Sequence, residues 1–188
     1  MGISRKEMVN QLMVDCETLG TKSNSMILSI GAVMFDIETG ETSEQFRVDV
    51  SPSNTYGLNI DASTVIWWLN QSKEAQNDLI NHGNISVKLP DALDKFAAFI
   101  EIHAPDGIWG NGVRFDLGLL ENAYNILGFK APWPYWTERD VRTLVAFAPD
   151  IKNNMVNDLP HSPIHDCIYQ IKYCSAIYQS IINNTKTQ

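Results

Sequence analysis

Apolar and polar positions change rhythm partway along this chain of 188 residues. Gln11 to Asp15 is a short apolar run of strand type, and it leads into two acids two residues apart, Asp15 and Glu17. Thr18 to Ser25 is a loop rich in Gly, Ser, Thr and Asn. Met26 to Phe35 is a longer apolar run with a central glycine, the pattern of a largely buried strand. A turn follows, ending in Thr39-Gly40. From Ser43 to Val50 the pattern alternates, with Phe46, Val48 and Val50 against Gln45, Arg47 and Asp49. Three strands in succession, with one short turn between the second and third, predict an antiparallel meander.

Beyond residue 60 the period lengthens to that of helices. Asp61 or Ser63 caps a helix through about Gln71, and Ser72 caps another through about Asn81. Pro90 to Ile102 is amphipathic, with Leu93, Phe96, Ala97 and Ile100 on one face. Gly107 to Trp109 predicts a brief strand that ends in the Gly110-Asn111-Gly112 turn. Arg114 to Leu127 is the next helix, and Gly128 is placed to end it. Ala131 to Trp136 is a rigid aromatic connector. A short last strand over Trp136 to Asp140 and a helix over Val141 to Ala148 follow, then a polar loop from Pro149 to Pro160. Pro163 opens a final helix to about Asn183, whose stripe of Ile168, Ile171, Cys174, Tyr178 and Ile181 should dock on the sheet. Residues 1–10 read as a polar lead-in. With no repeat and no interdomain linker, the chain predicts one α/β domain over residues 1–188, built on a mixed sheet.

Composition narrows the function. Hydrophobic residues make up 44% and charged residues 19%, which fits a folded domain and not a disordered one. The formal net charge of −8 argues against a basic protein that coats nucleic acid. It leaves room for an enzyme that holds phosphates through bound metal. The three cysteines, Cys16, Cys167 and Cys174, are odd in number and lack C-x-x-C spacing. A disulfide framework or zinc site is not expected, and a reducing compartment is. Without a signal peptide or membrane span, the expectation is a cytoplasmic protein with no membrane partner. The oligomeric state is left open.

The candidate chemistry lies in acids that return at intervals. Side chains alternate along a strand, so Asp15 and Glu17 project to one face. Two adjacent carboxylates call for a positive charge between them, and a hard divalent cation with oxygen ligands supplies one. Asp116 follows a strand and a glycine turn, in the first turn of a helix, where an isolated Asp commonly just complements the helix dipole. Asp166 sits likewise in the first turn of the last helix, with Ser162 as N-cap and Pro163 at the first helical position. His161 lies just outside that turn, free to swing over the acid. His165 competes for the same role but is fixed within the helix.

The set Asp15, Glu17, Asp116, Asp166 and His161 resembles the DEDD superfamily of 3′–5′ exonucleases in its histidine-containing subclass. Asp15-Cys16-Glu17-Thr18 matches D-x-E-T, and His161 to Asp166 matches H-x-x-x-x-D, with Pro163 where the subclass usually has Ala. Ile66 to Ser72, Trp109 to Gly112, Arg139 to Thr143 and Ser162 to Cys167 are similar to the branch that holds the nuclease module of bacterial exonuclease VIII and the exonuclease A of T-even phages. Such proteins are phage- or prophage-borne, which would put this one in a bacterial host cytoplasm.

The resemblance implies an RNase H-like fold with a five-stranded sheet flanked by helices, and a two-metal hydrolysis using Mg²⁺ or Mn²⁺. Asp15 would bridge both ions, Glu17 and Asp166 would complete the site that activates water, and Asp116 would hold mainly the second ion. His161 would be the general base, since an imidazole can accept the proton of the attacking water near neutral pH. The substrate would be nucleic acid with a free 3′ end, DNA first and RNA second, the latter as an exoribonuclease or oligoribonuclease-type enzyme. The family places Thr18 and Leu19 against the terminal nucleotide, and Asn111 and Phe115 on the substrate side.

Trp67 and Trp68 point about 100° apart on a helix. Trp68, with Val65 and Leu69, fits the buried face. Trp67 is left to stack on a base or to join the core. Arg139 and Arg142 read equally as phosphate contacts or as structural ion-pair residues. The reading from a different class is a nuclease fold without catalysis, a nucleic-acid-binding module, and the complete set of acids speaks against it.

Overall fold

The computed structural model describes residues 10–83 and 85–186. Apart from Asn10, the polar lead-in lies outside the described residues. Five strands, β1 (Asn10–Thr18), β2 (Ile27–Asp36), β3 (Thr42–Asp49), β4 (Gly107–Gly110) and β5 (Glu138–Asp140), form one mixed sheet in the order β3-β2-β1-β4-β5. The first three pair antiparallel, as the meander predicts, while β4 joins β1 and β5 joins β4 in parallel. Strand β1 runs on past Asp15 through Glu17 and Thr18, with Asp15 opposite Gly31 and Glu17 opposite Ser29. It is the centre of the sheet, so its end is framed by elements on both sides.

Alternation along β1 divides the interior. Leu12, Val14 and Cys16 join a cluster with Ile30, with Leu93 and Phe96 of α3 (Leu89–His103) and with Leu117 and Leu120 of α4 (Asp116–Ile126). Met13 joins Val33, Phe35, Ile171, Cys174 and Ile177 beneath α7 (Pro163–Lys186). Complete burial of each such side chain stabilises the fold by about 1.5–3 kcal/mol. The parity that sends Met13 toward α7 sends Asp15 and Glu17 the same way. Gly31 allows the helix to start there, since a Cβ on it would fall 2.6 Å from the Pro163 side chain. The three cysteines are buried free thiols.

Local boundaries shift for identifiable reasons. Asp61, not Ser63, caps α1 (Ala62–Leu69) by accepting the Ser63 N–H at 2.9 Å. Trp68 is buried as expected, but Leu69 is 67% exposed at the helix end, so it does not belong to that buried face. Helix α2 spans Lys73–Gly83. Helix α4 starts two residues later than its pattern predicts, because the Phe115 N–H closes a turn on the Gly112 carbonyl at 2.7 Å. A one-turn 3₁₀ segment at Tyr135–Thr137 shortens the last strand, and α5 stops at Val145 after starting at Val141. The polar loop after it holds one more helix, α6 (Pro149–Asn153), opened by Pro149 and anchored by Ile151 on the second cluster. Among the described residues no helix is long and apolar enough to cross a membrane.

Candidate active site

Asp15, Glu17, Asn111, Phe115, Asp116, His161 and Asp166 line one cavity of about 310 Å³ at the end of β1. Asp116 is brought in by the turn after β4. Its carboxylate accepts the Cys16 N–H at 3.3 Å, which ties the start of α4 to the central strand. Asp166 enters from the first turn of α7. It accepts the His161 N–H at 2.8 Å and a bond from the Asn157 side-chain amide. Asp15 is held by the Gln170 amide, which donates to Oδ1 at 2.9 Å from one helical turn beyond Asp166.

Burial and mutual repulsion shape the electrostatics. Glu17 is pushed up to about 8 by desolvation first, then by Asp166 and Asp116, with Arg47 pulling the other way. Asp116 is pushed up to about 7 by desolvation, against backbone N–H bonds and Arg142. Asp15 stands well above the usual carboxylate range for lack of solvation and because Asp116, Glu17 and Asp166 surround it. Asp166 is raised by desolvation as well, against its bonds from His161 and Asn157. Four carboxylates in one low-dielectric pocket are unfavourable as anions unless cations enter. Glu17, His161 and Asp166 each offer a ligand atom, all within 4.8 Å of one another.

His161 has a left-handed backbone, φ +65°, unusual for a residue with a side chain. Its ring stands edge-on to Trp67, with centroids 4.8 Å apart, and to Trp68 at 6.0 Å. His165 is exposed, and its Nδ1 lies 3.1 Å from the Ser162 hydroxyl, so it does not compete for the cavity. The arginines also separate. Arg142 lines the cavity, while Arg139 donates to the carbonyls of Trp136 and Glu138.

A second cavity, about 460 Å³, adjoins the first and is lined by Thr18, Thr64, Trp67, Trp68 and Phe115. Trp67 is 42% exposed there, which removes it from the core, while Trp68 donates to the Thr18 carbonyl at 2.9 Å. Leu19 lines neither cavity. It packs on the core, its N–H donates to Met26 and its carbonyl accepts from Asp61. Sequence reading missed Gln170, Asn157, Lys152 and the tyrosines 169 and 173 as cavity residues. Gln170 had a signal, since it lies four residues after Asp166 on the same helix face.

Comparison with known proteins bears on this geometry. The chain is 26% identical to the exodeoxyribonuclease of Enterobacteria phage T4 over 86% of its own length and 87% of the relative's. It superposes on the nuclease domain of 3′hExo, a DEDDh family member bound to rAMP, with a TM-score of 0.66 at 12% identity, covering 93% and 94% of the two chains. The zinc-bound E. coli exonuclease I–ssDNA complex gives a TM-score of 0.60 at 17% identity, and the match covers 95% of this chain but 41% of that one. These likenesses establish an RNase H-like exonuclease fold. The family model described as the 3′–5′ exoribonuclease Rv2179c-like domain matches residues 10–178, so the chain belongs to that family and is a 3′–5′ exonuclease.

Proposed function

We propose that this protein is a divalent-cation-dependent 3′–5′ exonuclease that prefers DNA and works with two cations and a histidine base. The observation that carries the reading is the convergence of Asp15, Glu17, Asp116, Asp166 and His161 on one cavity. The donor set fits the cations. It is rich in carboxylate oxygen, which suits Mg²⁺ or Mn²⁺, and the raised pKa values of Glu17 and Asp116 mark a site short of positive charge. Asp15, Glu17, Asp116 and Asp166 would hold the ions. When bound, they supply an acidified water and neutralise charge on the leaving oxygen.

The remaining work falls to the chain itself. His161 takes the proton of the attacking water. Its left-handed backbone and its N–H bond to Asp166 set the ring between that acid and Trp67. Gln170 and Asn157 keep Asp15 and Asp166 in place. The second cavity takes the terminal nucleoside, with Trp67 and Phe115 as apolar walls and Thr18 at its edge. Leu19 supports that edge through its backbone bonds.

Preference for DNA rests on the phage relative, which is named an exodeoxyribonuclease. An exoribonuclease is the second reading, favoured by the family's description and by the rAMP in 3′hExo. The test is release of label from 3′-labelled and 5′-labelled single-stranded DNA, duplex DNA and RNA with Mg²⁺ or Mn²⁺. We expect 3′ label to leave first, DNA to be degraded faster than RNA, and Asp15→Ala to be inert. First release from the 5′ end, internal cutting, or an Asp15→Ala protein as active as wild type would overturn the proposal.

A further inference from the structure

An acidic chain that acts on a polyanion needs its few cations in the right place. The sequence holds 14 Lys and Arg against 22 Asp and Glu. Lys22, Arg114 and Arg142 line a single cleft of about 770 Å³ beside the acid cavity. The ion pairs among the described residues are those of Arg47, so none of these three is neutralised that way. The acid in the cleft wall, Asp140, is held by backbone donors: its carboxylate accepts the Arg142 N–H at 2.7 Å and the Val113 N–H at 3.3 Å. Backbone geometry sets the placement of Arg142. Gly112 is left-handed, φ +101°, and a Cβ there would fall 2.9 Å from the guanidinium carbon.

The cleft is also joined to the site. Phe115 lines it together with both cavities described above, and Arg142 is shared with the acid cavity. A strand whose last nucleoside occupies the apolar cavity and whose scissile phosphate lies over the acids must continue somewhere on its 5′ side. Three cations against one acid in the cleft wall favour phosphates, and repulsion from the rest of the −8 surface disfavours other routes.

We infer that the cleft walled by Lys22, Arg114 and Arg142 binds the phosphodiester backbone of the substrate on the 5′ side of the scissile bond. This rests on the nuclease reading of the acid cavity. The ligand class is a single-stranded polynucleotide read through its phosphates, with no base specificity.

The experiment measures binding without turnover. Fluorescence anisotropy of 5′-fluorescein-labelled dT12 and U12, with no added divalent cation, is followed against NaCl for the wild-type chain, the Lys22→Ala/Arg114→Ala double variant and Lys95→Ala. Lys95 is exposed on α3 and does not line the cleft, so it controls for net charge. The double variant is expected to bind about tenfold more weakly and to lose about 1.4 from the slope of log K against log salt, about 0.7 per phosphate contact on a single strand. Lys95→Ala should match wild type. An unchanged slope in the double variant, or an equal loss in Lys95→Ala, overturns the inference. Loss of binding together with no metal-dependent hydrolysis by wild type would sink the nuclease reading while leaving the cleft as a backbone site.

Discussion

Two groups of acids sit close together in this molecule and are handled in opposite ways. Asp49 and Asp78 close on Arg47, whose guanidinium reaches them at 3.1 and 2.9 Å, and all three side chains are 10–16% exposed. That cluster carries its own cation within the chain. Asp15, Glu17, Asp116 and Asp166 gather in similar burial around an open cavity, where Arg142 acts on Asp116 without closing a salt bridge. The chain therefore closes a salt bridge on the acids at Arg47 and, among the described residues, closes none on the acids that line the cavity. The closed cluster also tempers the open one, since Arg47 lowers Glu17 while Asp78 raises it. On the proposed reading, the open group takes its cations from solution.

Mutations that break this contrast should differ in what they remove. Asp15→Asn or Asp116→Asn should reduce 3′-end hydrolysis by about 10³-fold or more, read as single-turnover rates at saturating Mg²⁺. Rates within tenfold of wild type would make the open cluster structural after all. His161→Ala should cost about 10²-fold in turnover while Mn²⁺ affinity stays within a few-fold. A parallel loss of ion binding would turn His161 from a base into a ligand.

Arg47→Met acts on the closed cluster. It leaves Asp49 and Asp78 without their cation and should destabilise the fold by about 2 kcal/mol in urea at pH 7. A neutral result would mean that the pair's desolvation already offset its attraction.

The last of these predictions concerns pH. The folded pKa values of Glu17 and Asp116 lie above their ordinary values of 4.5 and 3.8, at about 8 and about 7. Between those limits the folded state binds more protons than the unfolded state, so metal-free stability falls as pH rises from about 4 to about 8. The loss should run through the whole interval, and Glu17→Gln should flatten the upper part of the slope. Thermal melts in chelator from pH 5 to pH 8 would show it. A metal-free protein that gains stability across that range contradicts the description of the cavity as short of positive charge.

Much of this organisation was legible in the residues. Strand runs separated by polar turns gave the meander, and alternation placed Asp15 and Glu17 on one face because a pleated backbone leaves no other choice. Asp116 and Asp166 were found through helix-start signals, which fix the first turn to within a residue or two. Contacts across long sequence separations were harder to see. Nothing local distinguishes Arg142 from Arg139, and only the approach of Gly112 turns one toward the cavity. Asn157 lies in an aperiodic loop, so its bond to Asp166 leaves no pattern. The left-handed backbone of His161, just before α7, is not encoded by the His-Ser-Pro order alone. Helix α6 was missed because five residues are too few to show a period.

Calorimetric titration of Mn²⁺ into three forms of the protein tests the contrast most directly: wild type, the open-cluster variant Asp15→Asn and the closed-cluster variant Asp78→Asn. Wild type and Asp78→Asn should bind Mn²⁺ with matching stoichiometry and affinity, and Asp15→Asn should lose at least tenfold in affinity. Equal binding by wild type and Asp15→Asn, or selective loss in Asp78→Asn, would contradict the assignment of the open acids as the cation site.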